Sequence, residues 1–168
     1  NPELVAYSRR AAQAGKVGEL ATFEHADIFE SDFSKATVVT LFLLPHLNLK
    51  LRPTLLKMKP GTRVLSNSFD MGDWQSDERA EATGECKNYC RAMKWIVPAA
   101  VEGSWRFGDG ELKLTQTYQM LSGTLTRGGN ALAISEAKKN GAEITFVAGG
   151  LCYAGRENDN TMSGTAGT

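Results

Sequence analysis

The chain changes hydrophobic period part-way along its length, and the two periods demand different kinds of sheet. Residues 38–45 read "VVTLFLLP", seven uncharged apolar or β-branched residues in succession closed by a proline. A strand covered by helices on both faces shows such a run, because neither face meets water. Residues 111–120, "ELKLTQTYQM", alternate instead, with Leu112, Leu114, Tyr118 and Met120 on one face and Glu111, Lys113, Thr115, Thr117 and Gln119 on the other. That is the pattern of a half-buried strand. Turn signals then come at short intervals, "GDG", "RGGN", "KKNG", "AGG" and "ENDN", which imply an antiparallel meander. Within it "AISEAKKNG" is in conflict with itself, since Ala, Glu and Lys favour helix while the flanking turns favour a strand.

Helical and strand patterns alternate in the first half. Asn1 is a good N-cap, Pro2 fits the first helical position, and Glu3 suits the positive end of the helix dipole. Leu4, Tyr7, Ala11 and Ala14 recur at helical spacing, and Gly15 suits a left-handed cap, so a helix is expected over residues 2–14. "ATFEHADIFE" reads as a short strand ending at Asp27, and "TRVLSNSF" as a later strand fed by the "KPGT" turn. Leu51, Leu55 and Met58 suggest a short helix that Pro53 confines to the portion after Arg52. The polar "SDERAEATGECKNYCR" is expected to be a loop with a helical piece. The fold class is therefore α/β, parallel over about residues 1–75 and mostly antiparallel from about residue 94, with domains at 1–93 and 94–168.

Composition removes several function classes. With 168 residues, 42% of them hydrophobic, the chain can bury one good core or two small ones. Nineteen basic residues balance nineteen acidic ones, so no overall basic field points to nucleic acid or an anionic membrane. No stretch approaches the ~20 apolar residues that span a bilayer. Three cysteines, Cys86, Cys90 and Cys152, are an odd number and suit a reducing, cytoplasmic compartment. Cys86 and Cys90 could share a helix face, but zinc needs further ligands, and His25 and His46 lie far off in sequence, so no metal is expected.

In open parallel sheets, ligands bind beyond the carboxyl ends of the strands. Asp27, His46, Asn48, Asn67, Asp70, Asp73 and Trp74 all fall at such ends. Pro45 alone would ordinarily signify only the end of a strand.

The segments "NPELVAYSRRAAQAG", residues 26–74 and "WIVPA" together resemble class I S-adenosylmethionine-dependent methyltransferases, in a bacterial group related to mitochondrial protein-lysine methyltransferases. The likeness covers roughly residues 1–100, and its specific part is residues 27–74. It implies a partial Rossmann-like methyltransferase sheet, completed by the antiparallel β extension, and S-adenosylmethionine as cofactor. By the resemblance, Asn1 follows the second core strand, Asp27 accepts a hydrogen bond from the adenine amino group, and Ile28 packs beside the ring. Leu43, Leu44 and Pro45 then line the site of methyl transfer, His46 is a candidate proton acceptor, and Asn48, Asp70 and Trp74 lie on the substrate side. The family's glycine-rich turn would lie ahead of residue 1, so the chain is expected to represent a fragment. The partner implied is a methyl acceptor, possibly protein, with a homo-oligomer also open. Two rival readings remain: a binding module built on Trp105, Phe107 and Tyr118 of the meander, and a structural protein assembling through an exposed sheet edge.

Overall fold

A computed structural model describes residues 1–167, apart from the side chain of Phe107; Thr168 lies outside the described residues. The chain divides into two compact units, Asn1–Phe33 and Ser34–Thr168.

The first unit is built on helix α1, Pro2–Ala14. Asn1 caps it as its sequence suggests, its side chain accepting from Glu3 N at 2.9 Å. Its C-terminus departs from expectation by one residue. Gly15 has φ −78°, and the left-handed residue is Lys16 at φ 57°. The strand expected to end at Asp27 does not form. A strand needs a ladder partner; here the Phe23 carbonyl accepts from the Arg9 guanidinium at 2.6 and 3.1 Å, and Asp27 opens a turn.

The second unit contains two sheets. The first has the order β1-β2-β4-β3, where β1 is Val38–Leu41, β2 is Arg63–Asn67, β3 is Glu78–Glu81 and β4 is Arg91–Ile96. β1 and β2 run parallel, joined through helix α2, Pro45–Leu55, which buries Asn48, Leu51 and Leu55. The helix starts earlier than expected and includes Pro53. Pro45 occupies its first turn, where the missing N–H costs nothing. Pro53 removes the bond to the Leu49 carbonyl, but both residues lie on the exposed face, where water can solvate that oxygen. The expected helical piece before Arg91 is instead the β3–β4 hairpin, whose edge strand carries four exposed residues. The cysteines, expected reduced, include a disulfide: Cys86 and Cys90 have Cα atoms 5.8 Å apart in the hairpin loop, within bridging reach, while Cys152 is free and exposed.

The second sheet is the antiparallel meander. Its strands are β5 Gly103–Phe107, β6 Gly110–Thr117, β7 Met120–Arg127, β8 Asn130–Ala133, β9 Ser135–Asn140, β10 Glu143–Ala148, β11 Leu151–Asn158 and β12 Thr161–Gly167. They take the order β12-β11-β10-β9-β7-β6-β5, with β8 paired on β7. The alternation predicted for residues 111–117 holds, with Leu112 and Leu114 in a core with Val101, Leu125, Ile144 and Phe146. It fails at residues 118–120, where Tyr118 and Gln119 form a turn, leaving Met120 exposed and Gln119 buried. "AISEAKKNG" resolves as strand β9, because cross-strand pairing with β10 outweighs local helix propensity. Among the described residues, no helix is long and apolar enough to cross a membrane.

Lys139 of β9 is only 1% exposed, and its ammonium donates to the Ala142 carbonyl at 2.9 Å. Burial pushes its pKa below the usual lysine value, against the opposing pull of Glu157 and Glu143. Between the folded and unfolded values the unfolded chain holds more protons, so this residue makes stability rise with pH. Lys139→Met should therefore stabilise the protein most at neutral pH, and its advantage should shrink as pH approaches the unfolded lysine value of 10.5. Urea denaturation of both proteins at several pH values checks this.

Candidate functional site

The break after β1 is a helix start. Leu44 is extended, at φ −59° and ψ 153°, as a residue before proline prefers. Its carbonyl accepts from Leu47 N at 2.9 Å and Asn48 N at 3.1 Å, so the first turn of α2 is tied back to the end of the strand. Leu44, Pro45 and His46 are exposed on this turn, and Leu43 is half-buried.

Asn48 lies two residues past His46, and its side chain is fully buried. Its Nδ2 donates to Ser66 Oγ at 3.3 Å, to Phe69 O at 3.2 Å and to Asp70 O at 3.1 Å. Thus α2 grips both the end of β2 and the loop that follows it. Arg52, one turn on, donates to the Met71 carbonyl at 2.7 Å and pairs with Asp73. Gly72 has φ +66° and approaches α2 so closely that an added Cβ would stand 2.8 Å from Leu49 Cδ2. Asp70 accepts from Gly72 N at 3.1 Å and keeps its carboxylate exposed.

The same loop is fastened to the meander. The Tyr118 hydroxyl donates to Asp73 at 3.0 Å, and its ring stacks on Trp74 with centroids 6.0 Å apart. Gln119 donates to the Gln75 carbonyl at 2.7 Å. Hydrogen bonds from Arg52 and then Tyr118 hold the Asp73 carboxyl below the usual aspartate value, while burial and the bond to Asp73 raise the Tyr118 hydroxyl. Trp95 Nε1 donates to the Trp74 carbonyl at 2.8 Å, completing the support beneath the loop.

A second aromatic group stands at the strand ends. Phe42 follows β1, Phe69 follows β2, and Tyr89 comes from the disulfide-closed hairpin loop. Ring centroids are 5.9 Å apart for Phe42–Phe69, 5.0 Å for Phe42–Tyr89 and 5.9 Å for Phe69–Tyr89. Periodicity does not foretell this group, since Phe42 sits in a continuous apolar run and Tyr89 in a polar one.

The expected site residues therefore take different parts. Asn48, Asp70 and Trp74 are brought together, with the side chains of Asn48 and Trp74 fully buried and Asp70 exposed. Asn48 serves the loop, whose carbonyls need donors once buried, while Trp74 packs its ring against Trp95 and Tyr118. Of the remaining residues, Pro45, His46 and Asp70 present exposed surface. In the Asn1–Phe33 unit, Asn1 uses its side-chain oxygen on the helix cap. Asp27 accepts from Phe29 N at 2.8 Å through Oδ1, its carbonyl accepts from Ser31 Oγ at 2.6 Å, and Ile28 beside it is exposed. Among the described residues, no group of three or more His, Cys, Asp or Glu could hold a metal.

Comparison with known proteins gives this arrangement a class. Residues 1–78 match the profile of the ANTKMT methyltransferase domain. A protein-lysine N-methyltransferase of Saccharolobus islandicus (strain REY15A) is 48% identical over 59 residues, covering 34% of this chain and 37% of that protein. The crystal structure of an RNA methyltransferase from Salinibacter ruber in complex with S-adenosyl-L-homocysteine aligns with a TM-score of 0.55 and 41% identity, covering 60% of this chain and 63% of that one. The likeness of the α/β segment is thus to S-adenosylmethionine-dependent methyltransferases. The particular domain it matches is that of the ANTKMT methyltransferases, and the chain spans less than two thirds of either relative's length.

Asn48→Ala should destabilise the protein by about 1–3 kcal/mol, because three acceptors lose their common donor. Asn48→Asp should cost more at neutral pH, since a carboxylate would face two carbonyl oxygens. The introduced carboxyl would have a raised folded pKa, so its stability should recover as pH falls. Denaturant titrations of the two variants at acidic and neutral pH check both statements.

Proposed function

We propose that this chain is part of an S-adenosylmethionine-dependent methyltransferase whose acceptor is an amine, with protein lysine as the favoured class. The observation that carries the reading is the 41% identity, with a shared fold, to a methyltransferase solved with S-adenosyl-L-homocysteine. The lysine relative supports the choice of acceptor.

The residues present fit their half of the task. Asp27 offers an exposed carboxylate with lone pairs beyond the one Phe29 N uses, and Ile28 gives an apolar neighbour for a flat ring. The cofactor would supply an electrophilic methyl group on a sulfonium. The chain's own contribution is positioning, because in-line transfer depends on holding the nucleophile in a narrow range of geometry. Leu43, Leu44 and Pro45 fix the path from strand to helix, and Pro45 limits backbone freedom there. An amine must lose a proton before it attacks, and His46 and Asp70 are exposed groups at these strand ends able to accept one.

A second reading has one observation of its own. The meander carries a half-open pocket of about 240 Å³ lined by Trp105, Leu112, Ile144, Phe146 and Tyr153 together with Arg106 and Arg127, suited to a small, largely apolar ligand. Such a site is compatible with a catalytic α/β part, and it also fits an inactive binding module. Phe107, the third aromatic named for that module, has its side chain outside the described residues.

Calorimetric titration of S-adenosyl-L-homocysteine into the product of the complete open reading frame, beside the 168-residue chain, tests the proposal. Saturable binding is expected in the former and weak binding in the latter, with Asp27→Ala costing about 1–3 kcal/mol. With radiolabelled cofactor and lysine-rich protein, Pro45→Ala should slow transfer with a modest change in stability, and any loss in His46→Ala that recovers at higher pH marks a proton acceptor. Absence of cofactor binding in the complete product would overturn the reading.

A further inference from the structure

We propose that Phe42, Phe69 and Tyr89 form an aromatic platform that receives the cationic side chain of the acceptor, a lysine ammonium and its methylated products. The inference rests on the methyltransferase reading and gives that site an acceptor-binding surface.

Three observations converge on it. The first is exposure. Phe42 is 58% and Tyr89 57% exposed, although each packs against the other and against Phe69. The exposed aromatic surface is contiguous, unlike the singly scattered apolar residues that need no explanation. The outward ring faces are flat and carry the negative side of the aromatic quadrupole, which attracts ammonium groups.

The second observation is placement. Phe42 and Phe69 stand at the carboxyl ends of the parallel pair β1 and β2, where ligands of such sheets bind. Phe42 directly precedes Leu43 and Leu44, and Phe69 directly precedes Asp70, so an exposed carboxylate adjoins the platform along the chain. Of the cations two residues to either side of Tyr89, Arg91 is engaged with Glu81 at 3.3 Å and Lys87 is exposed.

The third is preorganisation. The Phe69 carbonyl is held by Asn48, and Ser68, left-handed at φ 64°, donates its N–H to the Arg91 carbonyl at 2.7 Å. Tyr89 is left-handed too, at φ 57°, and its loop is closed by the Cys86–Cys90 disulfide and by the 2.7 Å bond from Ala82 N to Cys90 O. Left-handed non-glycine residues cost energy and persist only where the surrounding structure holds them, as it does at both positions. A platform fixed in advance loses little entropy when a flexible lysine settles on it.

NMR titration of the 168-residue chain tests the proposal without cofactor. The probes are three blocked tripeptides whose central residue is lysine, Nε-trimethyl-lysine or uncharged norleucine. Ring signals of Phe42, Phe69 and Tyr89 should shift, and the two cationic peptides should bind about two- to fivefold more tightly than the neutral one. Tyr89→Phe should keep this preference, whereas Phe42→Leu and Tyr89→Leu should abolish it with the rest of the amide spectrum unchanged. Equal affinity for lysine and norleucine, absence of ring shifts, or a preference that survives both leucine substitutions would overturn the proposal. If either leucine variant fails to fold, the lysine–norleucine comparison on the unsubstituted chain still decides. Cofactor binding with silent rings would sink the platform alone; responsive rings without cofactor binding in the complete product would sink the methyltransferase reading alone.

Discussion

The buried carboxamide of Asn48 is the interaction on which the α/β sheet's working end depends. A loop leaving a parallel strand carries carbonyl groups that must find donors once they are covered. One side chain on α2 serves Ser66 Oγ at the end of β2 and two successive carbonyls beyond it, Phe69 and Asp70. The βαβ unit therefore contains its own brace. Arg52 repeats the device one turn later with the Met71 carbonyl and Asp73, so two side chains of one helix define the course of the loop.

Tyr118 extends that order into the meander. The other two-residue turns of this sheet begin with Gly108, Gly128, Gly141, Gly149 or Asp159 in the left-handed region, which suits their hairpins. Tyr118 takes the same conformation at φ 54° with a bulky side chain, which is costly for such a residue. Its hydrogen bond to Asp73 and its stacking on Trp74 offset that strain.

Much of this architecture was legible because local chemistry and packing agree. Asn1, Pro2 and Glu3 announce α1; the apolar run contains β1; the glycine-rich turns divide the meander. The misses occur where a distant partner decides. "TYQM" contains no turn residue, so the hairpin at Tyr118 depends on contacts more than forty residues away in sequence. Asn48 resembles any polar residue near a strand end, and only the fold turns it inward. The Asp27 segment has strand composition, but Arg9 takes the Phe23 carbonyl. The Cys86–Cys90 spacing suggested a helical face, whereas the chain bends back within a hairpin.

The Tyr118 turn also bears on how the Ser34–Thr168 unit gains its structure. Hairpins with two-residue turns bring near neighbours together and so zip up quickly, while joining β1 to β2 must wait for a longer loop to close. A glycine at position 118 would let the β6–β7 ribbon close without the other sheet. Tyrosine makes that closure reluctant until Asp73 and Trp74 are in place. The two sheets are thereby coupled through one strained turn, which is best supported when its neighbour is in place.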